Sequence, residues 1–302
     1  MAQDLSTSAA GGLIFAEALA HVPGFHAGDP GSELLPLAGG RVNRTWRVRT
    51  PVGLFVLRLS PAPDAWLASD RSVERALHGI AASEGLAPRI VQADPLDRWM
   101  ITEFIAGPLW SDADFGRVEC LAALGRTLRR LHAIAAPAVG RLDLLGALHS
   151  YARRLEPARG PAEADPHIYL EPAAAAWRRS GAPERPPAIL HHDLHGSNLI
   201  RAATGLILID WECSVVADPL LDVACVLSYF EAAREHASVL LESSGLGAVS
   251  DRQLAASRWL FDLHTWFWYR ERRLRMAPTP AEVAAERRLA LAVERGAAAA
   301  TG

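Results

Sequence analysis

One stretch constrains this chain more than any other. It runs Ile189-Leu190-His191-His192-Asp193-Leu194-His195-Gly196-Ser197-Asn198-Leu199-Ile200 and is followed by Leu206-Ile207-Leu208-Ile209-Asp210-Trp211-Glu212. Two short apolar runs flank Thr204-Gly205, a turn dipeptide, so the second half reads as a strand hairpin. The polar residues sit at the strand ends, and the hairpin predicts that Asp193, Asn198 and Asp210 come together. All three are oxygen ligands or acceptors. Such a set suits holding Mg²⁺ on a nucleotide and receiving a proton from an attacking hydroxyl. A transition-metal site at His191, His192, Asp193 and His195 is an alternative. It is disfavoured because His191 and His195 share a face only in a helix, and no Cys pair accompanies them. An ordinary buried hairpin with polar ends is the plainest alternative.

The spacing H-x-D-x-x-x-x-N, with a further Asp one hairpin later, is that of a kinase catalytic loop. The stretch resembles the aminoglycoside phosphotransferase and choline kinase superfamily, which shares the protein-kinase fold. Asp210-Trp211-Glu212 stands in place of Asp-Phe-Gly, and Asp218-Pro219-Leu220-Leu221-Asp222-Val223-Ala224 follows. Both favour the small-molecule branch, nearest to thiamine kinases and choline or ethanolamine kinases. The resemblance implies an α+β, two-lobed protein-kinase-like fold. An N-terminal antiparallel sheet with one helix, residues 1–106, would bind nucleotide. A larger, mainly helical lobe, residues 107–302, would carry catalysis and acceptor binding, with ATP in the cleft. It implies that Asn198 and Asp210 hold Mg²⁺ and that Asp193 accepts or orients the substrate proton. His191 would brace the loop and Asp222 would buttress it.

Composition narrows the field. With 302 residues, 50% hydrophobic and 22% charged, the chain is globular. No run of about 20 apolar residues predicts a membrane span. The first residues lack a signal peptide's basic region, and the three Cys form no metal spacing or even disulfide framework. A cytoplasmic protein is expected. The net charge of -3 argues weakly against nucleic acid as a partner. The chain contains no Lys; all 31 basic residues are Arg. A Walker A loop is therefore excluded, and Arg must contact any phosphate.

In chain order, Leu13 to Ala20 reads as a short helix. Strands are expected at Leu34 to Leu37, Thr45 to Arg49 and Leu54 to Leu59. The turn between the first two contains Gly39, Gly40 and Asn43, a plain hairpin turn in isolation. By resemblance it is the nucleotide-covering loop. Alternation puts Val56 and Arg58 on one face of the third strand and Phe55, Leu57 and Leu59 on the other. By resemblance, Arg58 replaces the kinase Lys beside Val56. An edge-strand Arg reaching water is the alternative. Ser69-Asp70 caps a helix to Glu84 with an apolar stripe of Val73, Leu77 and Ile80. Glu74 flanks that stripe and either pairs with Arg58 or is solvated. Strands at Arg89 to Gln92 and Trp99 to Phe104 complete a five-stranded sheet. Ile105 to Pro108 resembles a hinge whose backbone near Glu103 and Ile105 meets adenine; it also fits a simple linker.

From Ser111 the pattern turns helical, with Phe115, Val118, Leu121, Leu124, Leu128 and Leu131 at helical spacing. Tyr151 and Trp177 fall in further helices, Cys213 to Val216 in a loop, and Asp218 and Asp222 at the start of a helix through Phe230. Leu254 to Met276 carries the densest aromatic cluster. There Trp259 and Trp266 either pack the core or line an acceptor pocket, where aromatic faces suit an organic cation. Glu212 is a candidate for binding such a cation, while Trp211 and His195 stay open between packing and acceptor contact. The function expected is ATP- and Mg²⁺-dependent phosphoryl transfer to a hydroxyl of a small molecule such as thiamine, choline or ethanolamine. An aminoglycoside or amino-sugar acceptor, a pseudokinase without turnover and a protein kinase are the alternatives. Oligomeric state is not legible.

Overall fold

Side-chain alternation builds the N-terminal sheet. The computed structural model describes residues 9–37, 43–60, 70–158, 160 and 164–300. It divides into one unit of Met1–Trp110 with Ser197–Ser214 and another of Ser111–Gly196 with Val215–Gly302.

In the first unit, helix α1 (Ala9–Ala20) precedes strands β1 (Glu33–Leu37), β2 (Arg44–Thr50) and β3 (Gly53–Leu59). Helix α2 (Arg71–Ser83) and strands β4 (Ile90–Ala93) and β5 (Trp99–Glu103) follow. The sheet order is β1-β2-β3-β5-β4, with every pairing antiparallel. Strand β3 alternates as expected, placing Phe55, Leu57 and Leu59 in a core with Trp46, Val48, Trp99, Ile101 and Val22. Its other face carries Val56 and Arg58, both only partly buried.

Helix α2 begins where expected, with the Asp70 carboxylate accepting from the Ser72 and Val73 amides. Its inward face is rotated from the expected stripe. Glu74, Leu77, His78 and Ala81 are buried, while Val73 and Ile80 are half-buried. The reason is electrostatic: two arginines wait on that side for Glu74.

After β5 the chain runs antiparallel to a hairpin made by β7 (Leu199–Ala202) and β8 (Gly205–Leu208). The Trp110 amide donates to Leu199 O at 3.0 Å and the Arg201 amide to Pro108 O at 3.0 Å. Gly107 makes this approach with φ +153°; a Cβ there would lie 2.3 Å from Arg201 O. The Gly-Pro pair is thus fitted to the hairpin.

The second unit contains α3 (Val118–His132), α4 (Leu144–Leu155) and α5 (Leu170–Arg179). Strand β6 (Ala188–Leu190) pairs with β9 (Val215–Ala217). Helices α6 (Leu220–Tyr229), α7 (Glu231–Arg234), α8 (Ala237–Ser244), α9 (Asp251–Arg273) and α10 (Pro280–Ala300) complete it. Two expectations need correction. Ser111 caps a separate 3₁₀ turn, Asp112–Gly116, because extended Arg117 breaks the helix before α3. The expected loop over Cys213 to Val216 contains the start of β9, whose pairing with β6 is nonlocal. Core residues of α4, α5, α6, α9 and α10 form one apolar cluster. The fold class is α+β and protein-kinase-like, as the motifs imply.

Candidate active site

The hairpin β7–β8 places Asn198 and Asp210 at its open end, where the Ile209 amide donates to Asn198 O at 3.0 Å. Asn198 is buried, whereas the Asp210 carboxylate is 38% exposed and accessible to a ligand from solvent. Asp210 has φ +62°, a left-handed conformation uncommon for a residue with a side chain. Its carboxylate lies 3.8 Å from the Arg58 guanidinium.

Arg58 is ion-paired with Glu74. Arg71, at the start of α2, makes three more contacts. Its guanidinium lies 2.7 Å from Glu74, 3.3 Å from Glu212 and 3.1 Å from the Asn43 amide oxygen. The Asn43 amide nitrogen then donates to Glu212 at 2.9 Å. Two arginines, two glutamates and one asparagine thus form a continuous network, and Asp210 borders it. Sequence reasoning misses Arg71. Its signal is the position three residues before Glu74, one helical turn away.

Burial opposes ionisation of Glu74, but the charges and hydrogen bonds of Arg58 and Arg71 outweigh it and hold the carboxyl below its ordinary value. Burial likewise opposes the charge on Arg58, and Glu74, Asp210 and Glu212 overcome it, holding that pKa above the ordinary value. Glu212 goes the other way. Burial pushes its carboxyl up, and Arg71 and Arg58 offset only part of that.

In the second unit, the Asp193 carboxylate is approached at both oxygens. Tyr229 donates its phenol to Oδ1 at 3.3 Å, and His195 Nε2 lies 3.1 Å from Oδ2. His191 is fully buried. Its backbone amide donates to Asp222 Oδ2 at 3.3 Å, and the His192 amide donates to Asp222 Oδ1 at 2.8 Å. His192 takes φ +64°, so the loop turns sharply just before Asp193. Asp222 also receives His132 Nε2 at 2.9 Å. Burial pushes the Asp222 carboxyl up, yet these donors and the His132 charge hold it below its ordinary value.

The remaining candidates are placed as follows. Gly39 and Gly40 lie outside the described residues, while Asn43 joins the network above. Val56 pairs with Arg47 and Thr102 in the sheet. The Glu103 carboxylate accepts from Arg89 Nε at 2.9 Å, its amide donates to Arg89 O, and the Phe104 amide donates to Leu54 O. Ile105, half-buried, follows in the segment that leads to Gly107.

Trp211 is fully buried, donates to Leu208 O at 3.0 Å and stacks on His78, all packing contacts. Trp259 and Trp266 likewise belong to the core. Trp259 donates to Val293 O at 2.9 Å, and Trp266 meets Tyr169 edge-on. The sequence leaves two readings open for these tryptophans, and their contacts among the described residues are those of packing.

The residues fit a magnesium nucleotide. Asn198 and Asp210 offer two hard oxygen donors, the small protein contribution that Mg²⁺ takes when phosphates supply the rest. Arg58 Nε is buried with no hydrogen-bond partner among the described residues, a donor suited to an anion. No group of three or more His, Cys, Asp or Glu that could hold a metal ion occurs among the described residues.

Comparison with known proteins identifies the family. The chain is 33% identical over 230 residues to the thiamine kinase of Salmonella paratyphi B, covering 72% of this chain and 76% of that protein. It superposes on a choline/ethanolamine kinase family protein from Mesorhizobium loti with TM-score 0.75 and 22% identity, covering 96% and 98% of the two chains. It superposes on the choline kinase LicA from Streptococcus pneumoniae with TM-score 0.76 and 17% identity, covering 95% and 100%. LicA has also been solved in complex with AMP. Residues 33–257 match the phosphotransferase enzyme family. The chain belongs to that family, as a small-molecule kinase related to the thiamine kinases.

Proposed function

We propose that this enzyme transfers the γ-phosphate of ATP to a hydroxyl of a small organic cation, in the class of thiamine, choline or ethanolamine. The observation that carries the reading is the Arg58–Glu74 pair beside Asp210, on a chain one-third identical to a thiamine kinase. Arg58, held by Glu74 and backed by Arg71, would grip the α and β phosphates. The Ile105 backbone would meet the adenine edge. Asn198 and Asp210 would hold Mg²⁺, which when bound neutralises charge on the transferring phosphoryl group. Asp193 orients the acceptor hydroxyl and takes its proton late, as the oxygen–phosphorus bond forms and the bond to the ADP oxygen breaks. Residues 1–106 serve the nucleotide, and residues 107–302 carry catalysis and acceptor binding. ATP as donor makes the cytoplasm the working compartment. With the tryptophans in the core, preference for a small cation rests on the thiamine kinase relative.

The test is ADP release from Mg-ATP with thiamine, choline, ethanolamine, amino sugars and kanamycin, beside an Asp193→Ala control. Release with thiamine, choline or ethanolamine, reduced at least about 10³-fold in the control, supports the reading. Release with kanamycin or an amino sugar alone would replace the acceptor class. Nucleotide binding without turnover on any alcohol would favour a pseudokinase.

A further inference from the structure

One face of α6 reaches the loop that carries Asp193 at three successive points. Asp222 accepts from the backbone amides of His191 and His192. Cys225 Sγ accepts from the Leu194 amide at 3.3 Å. Tyr229 donates to the Asp193 carboxylate itself. Positions 222, 225 and 229 are spaced by three and four residues, so they share one helix face. The first two contacts fix the loop's backbone, and only the third touches the reactive carboxylate.

We propose that Tyr229 is a positioning residue for phosphoryl transfer: its phenol, with His195 on the opposite oxygen, sets the direction in which the Asp193 carboxylate meets the acceptor hydroxyl. The proposal rests on the kinase reading above. An Asp carboxylate rotates in a broad, roughly two-fold torsional well, so a donor on each oxygen fixes the plane in which the remaining lone pairs point. The Tyr229 ring is itself held. Phe261 meets it edge-on at 5.6 Å and Phe230 at 6.3 Å, and Phe261 also packs edge-on against His192. Hydroxyl placement is therefore fixed by a packed aromatic cluster. A rigid donor aimed at a general base is what a near-attack geometry requires.

The phenol also favours the charged form of Asp193, because a hydrogen bond to a carboxylate stabilises its ionised state. Among the described residues, the titratable groups near Asp193 include His192 and His195 on its own loop and Cys225 and Tyr229 on α6, with Asp222 behind the loop. Burial holds the His192 imidazole low and the Cys225 thiol well up, so neither is charged near neutrality. Asp222 stays anionic and is engaged by backbone amides and His132. His195 and Tyr229 then act on the Asp193 carboxylate directly.

The experiment compares wild type with Tyr229→Phe, which keeps the ring and removes the hydroxyl. Melting temperature checks that packing is retained. On the best acceptor, kcat is expected to fall about ten-fold with KM for Mg-ATP unchanged. The acid limb of the kcat profile is expected to move up by about half a pH unit, which loss of packing alone would not produce. An unchanged kcat with an unmoved acid limb overturns the proposal. A second readout does not require turnover. The Asp193 carboxyl carbon, assigned by its disappearance in Asp193→Asn, is titrated by ¹³C NMR in both proteins. If no alcohol is phosphorylated yet this titration moves up in Tyr229→Phe, the contact stands and the kinase reading falls. If wild type turns over and the titration does not move, the kinase reading stands and the role of Tyr229 falls.

Discussion

Arg71 and Glu212 lie 141 residues apart in sequence and meet at 3.3 Å. The contact joins the first turn of α2 to the segment after β8. Arg71 is also the partner of Glu74 and Asn43, so its removal leaves several buried polar groups short of a donor. Arg71→Leu is expected to cost about 2 kcal/mol, the scale of stranding buried hydrogen-bonding groups. Urea unfolding at pH 7 would show a lower midpoint with an unchanged slope. An unchanged midpoint would mean the network contributes no stability in solution.

Glu74→Gln tests the other centre of this network. Breaking a buried ion pair by removing one charge costs about 3–5 kcal/mol, because the partner's charge stays buried. The pH dependence has a definite sign. The folded Glu74 carboxyl titrates below its ordinary value of 4.5, so its stabilising effect is present above that value. It is lost as pH falls through the folded pKa. The stability gap between wild type and Glu74→Gln should therefore be constant near neutrality and shrink on acidification. A gap that widens toward low pH would contradict the assigned pairing. Adding Arg58→Leu should give strongly non-additive losses, since the two side chains share one interaction.

Much of the architecture is legible in the sequence because the relevant signals are local. Alternation in β3 reports its two faces, and Asp70 reports the start of α2. The spacing from Asp193 to Asn198 and Asp210 carries the candidate chemistry. What the sequence does not report depends on partners distant in the chain. The expected α2 stripe is one position off because apolar periodicity gives no credit for burying a carboxylate. Glu74 turns inward only because Arg58 and Arg71 are there to meet it. Tyr229 looks like the end of an apolar helix, and nothing near it in sequence announces Asp193. The aromatic cluster in α9 offers two readings that helical spacing cannot separate, since a stripe facing a pocket and one facing another helix have the same period.

That second ambiguity yields a prediction on Trp259. Its indole N–H reaches Val293 O, and Gly296 admits the ring so closely that a Cβ there would lie 2.1 Å from Trp259 Cδ1. Trp259→Phe removes the hydrogen bond and part of the ring volume. It should cost about 1–2 kcal/mol, and Trp259→Ala about 3–5 kcal/mol. KM for the acceptor should stay within about two-fold of wild type in the Phe variant, as for any residue outside the binding site. Calorimetry and steady-state kinetics together decide the matter. A stable Trp259→Phe protein with a large rise in acceptor KM would return this side chain to the acceptor site.

Gly107 offers the sharpest steric test, because its environment is backbone. Its φ of +153° is a conformation that side-chain-bearing residues rarely adopt, and the atom a new Cβ would strike is the carbonyl oxygen of Arg201 at 2.3 Å. That strand cannot simply step aside. Arg201 donates its amide to Pro108 O, and Leu199 O accepts from the Trp110 amide two residues away. Gly107→Ala therefore has to separate the linker from β7 or force the residue into another conformation and lose those bonds. A cost of about 3 kcal/mol is expected from left-handed strain together with one or two weakened hydrogen bonds. Asn198 immediately precedes β7, so the same displacement should disturb the proposed metal ligands. Gly107→Ala is expected to raise the Mg²⁺ concentration needed for half-maximal rate. Gly85→Ala is the control: it sits just past the end of α2, and a Cβ there would meet no atom within 4 Å. It should lower stability through its φ of +69° without that shift. Equal Mg²⁺ dependence in the two variants would separate the linker from the metal site.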